Sequence, residues 1–215
     1  MEVMDYIGID VGAGKFHLTG YTQSREVMEK RFFRSCEDVC DFLKNKQALI
    51  AIDAPSGSRI TENEKRRCEQ MLGIGGYFST PYENASAEPW MVSGFELWRI
   101  LQKNGFERAI SYPTKIRQLI EVHPTIIFKK LMNSDSSPKR WIGKKNPISK
   151  QKAEGKRQRK ELLNSKFPSK IEIINNLGID YLDALIAAYT AERSHDGKVE
   201  VFGDPHEGQI WFPSS

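Results

Sequence analysis

Two apolar stretches decide the fold: DYIGIDV at residues 5–11 and ALIAIDAP at residues 48–55. The second is a continuous apolar run closed by Asp53 and Pro55, a pattern typical of a central strand that is covered on both faces. The first contains the aliphatic run YIGID, which closes on Asp10. The sequence therefore predicts two buried strands side by side at the centre of a sheet, each ending in a carboxylate.

Weaker signals place further elements around this pair. FHLTGYT at 16–22 and VMEKRFFR at 27–34 follow the first strand across a Gly-rich turn, and they predict three antiparallel strands. LIEVHP at 119–124 predicts a strand that ends before the proline, and the segment 199–213 predicts a terminal strand or hairpin. Apolar residues at helical spacing predict helices near 36–46 and 181–194, and further helices are expected near 91–104 and 126–132. Thr61 is a plausible cap of a helix over 61–72, whose first turn is acidic.

The composition favours one globular domain over residues 1–215. The chain is 39% hydrophobic and 10% aromatic, which excludes wholesale disorder. No apolar run approaches the roughly 18 residues that span a bilayer, and the start has no basic stretch followed by a long apolar one. We expect a protein that is neither exported nor membrane-spanning. Three cysteines form an odd, sparse set, which predicts free thiols in a reducing compartment such as the cytoplasm.

The net charge of +4 conceals a basic segment. Residues 138–170 contain twelve Lys or Arg and two Glu, a net charge of +10, so the rest of the chain carries −6. Prolines argue against one continuous helix there, and we expect an insertion at about 134–170 with a helical middle near 152–163. Such a segment attracts phosphate backbones, although a solvated helix or loop explains it equally well. The candidate nucleic-acid contacts are Lys139, Arg140, Lys144, Lys145, Lys156, Arg157 and Arg159.

Five acidic residues are candidates for one functional site. Asp10 and Asp53 end their strands, and Glu121 lies in the third candidate strand, within EVHP. Functional groups of open α/β sheets gather beyond the carboxyl ends of the strands. Asp180 and Asp183 lie three apart at the start of the last helix, so they share one face and could point toward the same crevice.

Gathered carboxylates repel each other, by about 4 kcal/mol for a pair 4 Å apart at an effective dielectric of 20. Either retained protons or hard divalent cations such as Mg²⁺ or Mn²⁺ would offset this repulsion. A pair of such ions activates water and stabilises the leaving oxygen in phosphodiester cleavage. The pattern predicts Asp10, Asp53, Asp183 and Asp180 as metal ligands and catalytic residues, with Glu121 as a further catalytic candidate.

Each aspartate also has a structural interpretation. Asp180 and Asp183 match a helix cap and the acid three residues after it. Asp53 before Ala54-Pro55 fits an Asx-type turn, and Asp10 before a glycine turn fits a cap of backbone amides.

Three further features are ambiguous. GAGK at 12–15 forms either a phosphate cradle or a tight hairpin, and the hairpin is favoured because the upstream glycine and the following Ser or Thr of a P-loop are missing. His123 is either a proton carrier or a structural residue. The same choice, between phosphate or base contacts and ordinary surface or core positions, applies to Arg59, Arg66, Arg67 and Trp90.

Six motifs, in order along the chain, resemble the family called domain of unknown function 429, predicted nucleases of the RNase H-like fold. They are IGIDVGAGK, AIDAP followed by Arg66-Arg67, the Ser79-Thr80-Pro81 step, EVHP, DYLDALIAA and EGQIWFP. The resemblance implies an α/β fold with a five-stranded mixed sheet, order 3-2-1-4-5, flanked by helices.

The resemblance also implies an acid on the first strand, another on the fourth, and one or two on the last helix. Asp10, Asp53 and the Asp180/Asp183 pair match those positions. Glu121, in the fifth strand, would be an additional or substituting ligand. One departure is that Asp53 stands where the related Holliday-junction resolvases commonly carry Glu.

Three functions are compatible with these observations. The first is a metal-dependent nuclease that uses two Mg²⁺ or Mn²⁺ ions to hydrolyse DNA or RNA. The second is a non-catalytic nucleic-acid-binding or scaffold module, in which the acids are caps and turn formers. The third is a phosphotransferase of the actin and sugar-kinase type, which is disfavoured because those proteins clasp a nucleotide between two domains and 215 residues supply one.

Overall fold

The computed structural model describes residues 5–26, 28–58, 65–74, 88–112, 114–133 and 148–214. The strands in these ranges are β1 Asp5–Gly12, β2 Lys15–Thr22, β3 Met28–Phe33, β4 Ala48–Asp53, β5 Glu107–Arg108, β6 Gln118–Glu121, β7 Val199–Asp204 and β8 Gly208–Pro213. The helices are α1 Cys36–Leu43, α2 Arg67–Leu72, α3 Pro89–Lys103, α4 Pro124–Asn133, α5 Ala153–Lys166, α6 Ile171–Asn175 and α7 Ile179–His195. A 3₁₀ turn, Pro168–Lys170, precedes α6.

One mixed sheet contains all of these strands in the order β3-β2-β1-β4-β6-β8-β7, with β5 paired to β6. β1, β2 and β3 are antiparallel, whereas β4 is parallel to β1 and β6 is parallel to β4. The first five strands of this order match the expected 3-2-1-4-5, but the sheet has eight strands rather than five. The reason is that β5 and the hairpin β7–β8 pair with the outer side of β6, which would otherwise be an exposed edge.

Helices cover both faces of the sheet, and this explains the apolar run of β4. Its residues from Ala48 to Ile52 are fully buried. Leu49 and Ala51 belong to a core beneath α4, α5 and α7, whereas Ile50 and Ile52 belong to a core beneath α1 and α3. The chain is therefore a three-layer α/β structure with β1 and β4 at its centre.

The predicted helices are largely present. α1 begins where the sequence indicates, and the Ser35 hydroxyl caps it by accepting from the Asp38 amide at 3.1 Å. The helical middle expected near 152–163 is α5. The helix predicted for 61–72 begins only at Arg67 in the described part of the chain. Residues 61–64, Arg59 and the Ser79-Thr80-Pro81 step lie outside the described ranges.

All three cysteines are buried free thiols, as predicted. Burial raises the pKa of Cys36 and of Cys68 to about 12. Among the residues that the structure describes, none of the helices has the length and apolar character needed to cross a membrane.

Candidate active site

A row of three polar side chains crosses the centre of the sheet. Asp10 on β1 is the register partner of Asp53 on β4 and of His17 on β2. Register partners on neighbouring strands point to the same face, with Cβ atoms about 5 Å apart. His17, Asp10 and Asp53 therefore project together from one face of the sheet.

Gly8 allows α7 to approach this row closely. It lies two residues before Asp10, on the same face of β1, and a Cβ atom at this position would lie 1.9 Å from the Ala184 carbonyl oxygen. Only glycine leaves room for helix backbone at this distance. The contact holds the first turns of α7, which carry Asp180 and Asp183, next to the end of β1.

An open cleft of about 490 Å³ lies at the carboxyl ends of β1 and β4. Three carboxylates line it, those of Asp10, Asp53 and Asp180, together with the basic side chains of Lys15, His17 and Lys150. The structure thus brings three of the predicted acids into one cavity. Trp90 and His123 also line this cleft.

Asp183 is buried beside the cleft, at 1% exposure. Its Oδ2 accepts a hydrogen bond of 2.6 Å from Lys150 Nζ, and its Oδ1 lies 3.9 Å from Arg159 Nε. Burial raises the pKa of Asp183 to about 6, although the Lys150 ammonium opposes this rise. Lys150 and Arg159 both belong to the basic segment, so two of its side chains contact the buried carboxylate of Asp183.

The carboxylates affect each other's protonation. Burial, followed by the charges of Asp10 and Asp183, raises the pKa of Asp53 well above its ordinary value. Burial lowers the pKa of Lys150, but the attraction of Asp183, Asp10 and Asp53 outweighs burial and raises it overall. The Lys150 ammonium therefore serves as a counter-ion to a cluster of carboxylates that repel one another.

His17 was not anticipated from the sequence. Its Nδ1 lies 3.7 Å from Asp10 Oδ2, and its Nε2 lies 3.9 Å from Asp180 Oδ2. The imidazole packs against the rings of Phe32 and Tyr181, and each of their centroids lies 5.1 Å from its own. The ring is thus held in place between two acids of the cleft.

The position of His17 opposite Asp10 could have been predicted from the length of the hairpin loop between β1 and β2. This loop is the two-residue step Ala13-Gly14, with φ of +62° at Gly14. GAGK therefore forms a tight hairpin, as favoured above. The amide of Gly14 also donates to the Ser93 hydroxyl at 3.0 Å. Because loop length fixes the register of a hairpin, counting back from this turn places His17 opposite Asp10.

Comparison with known families identifies the relatives of this chain. A family model described as "Protein of unknown function (DUF429)" matches residues 7–208. The chain belongs to the DUF429 family. Comparison with curated proteins finds no match, and comparison with solved structures finds none.

In this DUF429 protein, Glu121 stands apart from the carboxylate cluster. It is in register with Ile52, so it points to the opposite face from Asp53. Its carboxylate accepts hydrogen bonds from Arg66 at 2.8 and 3.0 Å, and from the amide and hydroxyl of Ser56 at 2.8 Å each. Both carboxylate oxygens are engaged by the protein, which favours a structural role over the predicted catalytic one.

The helix-cap interpretation does not describe α7 of this family member. Gly178 is the N-cap residue of α7, and no side chain caps this end. Asp180 lies inside the first turn, and Asp183 is engaged by Lys150. Asp180 therefore has no capping role, whereas Asp183 is held by the Lys150 ammonium.

The predicted nucleic-acid contacts separate into three groups. Lys139, Arg140, Lys144 and Lys145 lie outside the described ranges. Lys156 is half-buried, and Arg157 is exposed but forms ion pairs with Glu154 and Glu161. Arg159 is 1% exposed and donates to the carbonyl oxygens of Ile148 and Gly155. As an internal side chain, Arg159 supports the insertion and is not placed to contact a nucleic acid.

Proposed function

We propose that this protein is a metal-dependent nuclease of the RNase H-like fold, which hydrolyses nucleic-acid phosphodiesters at the carboxylate cluster. The single observation that carries the proposal is the Asp10–Asp53 register pair. It sets two carboxylates on one face, at the carboxyl ends of adjacent parallel strands and in an open cleft. Open α/β sheets bind their ligands at this edge.

The strand order supports the fold assignment within this proposal. β3-β2-β1-β4-β6 follows the order that the resemblance implies, and α7 packs across β1 with its acids near the end of that strand. The hairpin β7–β8 and the short β5 would then be additions to the RNase H-like sheet.

The charge balance of the site suits a divalent cation. Asp10, Asp53, Asp180 and Asp183 carry up to four negative charges, whereas Lys150 with Arg159 supplies two positive charges. Lys15 adds a third positive charge at the cleft, so up to one negative charge remains, which favours a bound cation. Carboxylate oxygens are the ligands that Mg²⁺ and Mn²⁺ accept. Asp10 and Asp180 would hold the ion, with Asp53 beside Asp10 in the same cleft. A second ion, as a two-metal mechanism requires, would need Lys150 to release Asp183.

Bound divalent ions in such a site would activate water and stabilise the leaving oxygen. The chain's own residues would orient the substrate. Lys15 lines the cleft and would attract a phosphate, and Trp90 offers a surface on which a base can stack. Lys156 and the predicted basic contacts at 139–145 would hold the flanking strand.

Cleavage assays test the proposal. We expect the purified protein to cleave at least one member of a panel of single-stranded, double-stranded and branched DNA and RNA when Mg²⁺ or Mn²⁺ is added. Asp10→Asn should abolish this cleavage with the fold intact, whereas Asp41→Asn, at an exposed acid of α1, should retain it. Cleavage by Asp10→Asn at the wild-type rate would refute the assignment.

A non-catalytic nucleic-acid-binding module is the alternative, and one observation favours it. Lys150 already neutralises Asp183, so part of the cluster is satisfied without any added ion. In that case nucleic acid should bind equally well to wild type and to a variant that lacks all four aspartates, and no cleavage should be detected. The affinity should also fall steeply with salt if the basic segment makes the contacts.

A further inference from the structure

We propose that His17 is a nitrogen ligand of the metal, and that Asp10, His17 and Asp180 form a binding site that prefers Mn²⁺ to Mg²⁺. The proposal rests on the metal site of the proposed function and deepens it by naming a ligand and a class of ion. The all-carboxylate set expected from the sequence contains no nitrogen donor.

The geometry of three side chains carries the proposal. One ligand atom from each of Asp10, His17 and Asp180 lies within 4.8 Å of the others. Atoms that bind one ion at about 2.1 Å are at most about 4.2 Å apart, so small side-chain movements would close the site. Both nitrogen-to-oxygen distances, 3.7 and 3.9 Å, are too long for hydrogen bonds. The acids therefore face the imidazole without bonding to it.

A buried polar atom points to the same conclusion independently. Nδ1 of His17 is buried and makes no hydrogen bond, although a buried nitrogen without a partner is costly. It is the nitrogen that faces Asp10. Phe32 and Tyr181 both pack against the ring, as expected for a ligand whose orientation is fixed.

Lys150 does not compete for this position. Its ammonium bonds to Asp183, whereas Asp10 and Asp180 are the acids that flank His17. The two carboxylates carry two negative charges and a neutral imidazole adds none, which matches a single divalent ion.

The presence of a nitrogen among the ligand atoms favours Mn²⁺ over Mg²⁺. Mg²⁺ is a hard cation that takes oxygen ligands and retains several waters, whereas imidazole suits divalent transition metals. Replacing one oxygen donor by a nitrogen therefore shifts the preference away from Mg²⁺. Mn²⁺ accepts both carboxylate and nitrogen ligands, and its unpaired electrons report directly on them.

Electron spin echo spectroscopy of the Mn²⁺-loaded protein tests the proposal without reference to activity. Wild type should show coupling of the bound ion to ¹⁴N, and selective ¹⁵N labelling of histidine should replace that signal by one from ¹⁵N. His17→Gln should lose the nitrogen coupling. His123→Gln is the matched control, because His123 lines the same cleft, and it should keep the coupling.

Competition titrations supply the second measurement. We expect wild type to prefer Mn²⁺ to Mg²⁺, and His17→Gln to reduce that preference by at least about tenfold. Bound Mn²⁺ without nitrogen coupling in wild type, a coupling that survives in His17→Gln, or no Mn²⁺ binding at all would each overturn the proposal. Nitrogen coupling in a protein that cleaves no nucleic acid would instead refute the nuclease assignment and leave the His17 site standing.

Discussion

Asp10 and Asp53 are register partners on adjacent parallel strands, and both side chains face the same cleft. Two carboxylates so placed repel each other, and the repulsion grows where water is excluded. Among the described residues, the positively charged Lys150 ammonium is attracted by both carboxylates and offsets part of this repulsion. This balance leads to the following predictions.

Asp53→Asn should stabilise the metal-free protein. Burial and the charges of Asp10 and Asp183 raise the pKa of Asp53, so the folded state keeps a proton that the unfolded chain has already lost. The stability of wild type therefore falls as pH rises through that raised pKa, whereas an amide does not titrate. We expect Asp53→Asn to gain at least about 1 kcal/mol in free energy of unfolding at pH 8, with the gain shrinking toward pH 4.

Urea denaturation across this pH range, with a chelator present, measures the effect. Asp41→Asn is the control, because Asp41 is 73% exposed and should show almost no pH-dependent difference. A gain at Asp53→Asn that does not vary with pH would contradict the argument.

Gly8→Ala should damage both the fold and the site. The added methyl group would meet the backbone of α7 at Ala184, so the helix must move away from β1. Overpacking of this kind costs about 3 kcal/mol. Metal affinity should fall as well, because α7 carries Asp180.

Gly12→Ala is the matched control for Gly8→Ala. It lies on the same strand, and its added Cβ atom would find its nearest neighbour at an ordinary 3.5 Å. Thermal denaturation should separate the two variants clearly. Equal losses of stability would show that the close approach of α7 at Gly8 is not what the substitution disturbs.

Lys150→Met should make the protein dependent on metal for its stability. The substitution leaves the buried Asp183 carboxylate without its ammonium, at a cost of about 2 kcal/mol for a pair that is partly open to solvent. Added Mn²⁺ should recover more stability in this variant than in wild type, because an ion can then replace the ammonium.

A double-mutant cycle with Asp183→Asn isolates this interaction. The two substitutions together should cost less than the sum of their separate effects. Lys152→Met, at an exposed lysine two residues away, is the control and should change little. Additive costs in the cycle would mean that Lys150 and Asp183 do not depend on each other.

Glu121→Gln should affect stability rather than metal binding. Glu121 and Arg66 form a buried ion pair, and removing one charge leaves the other unpaired at a cost of about 3 kcal/mol or more. Calorimetric titration with Mn²⁺ should give wild-type affinity at a temperature where the variant is folded. A large loss of affinity would restore the interpretation of Glu121 as a ligand.

Much of the fold could be predicted because it rests on local patterns. The continuous apolar run of β4 marked a strand covered on both faces, and the two-residue turn at Ala13-Gly14 marked a hairpin. The hairpin β7–β8 was less clear, and its extension of the sheet was missed. Its Gly and Pro residues weaken the strand signal, whereas its place beside β6 depends on a distant pairing, Glu121 with Ile210.

The site shows the same division. Asp10 and Asp53 could be proposed because each closes an aliphatic strand, but the face to which Glu121 points depends on its register with Ile52. Arg159 illustrates the limit for charged residues. The composition of its segment indicates a solvated surface, yet this arginine lies inside the protein against Phe128.

The sequence by itself determined the central strands, the carboxylates at their ends and the final helix, because alternation, apolar runs and turn residues act between neighbours in the chain. Only the tertiary structure decided which charges meet: Lys150 reaches Asp183 across 33 residues, and His17 lies between Asp10 and Asp180. The physical reason is that electrostatic attraction and repulsion act over a few ångströms in space. Those separations follow from strand register and from the close packing of α7 on Gly8, and no local pattern encodes them.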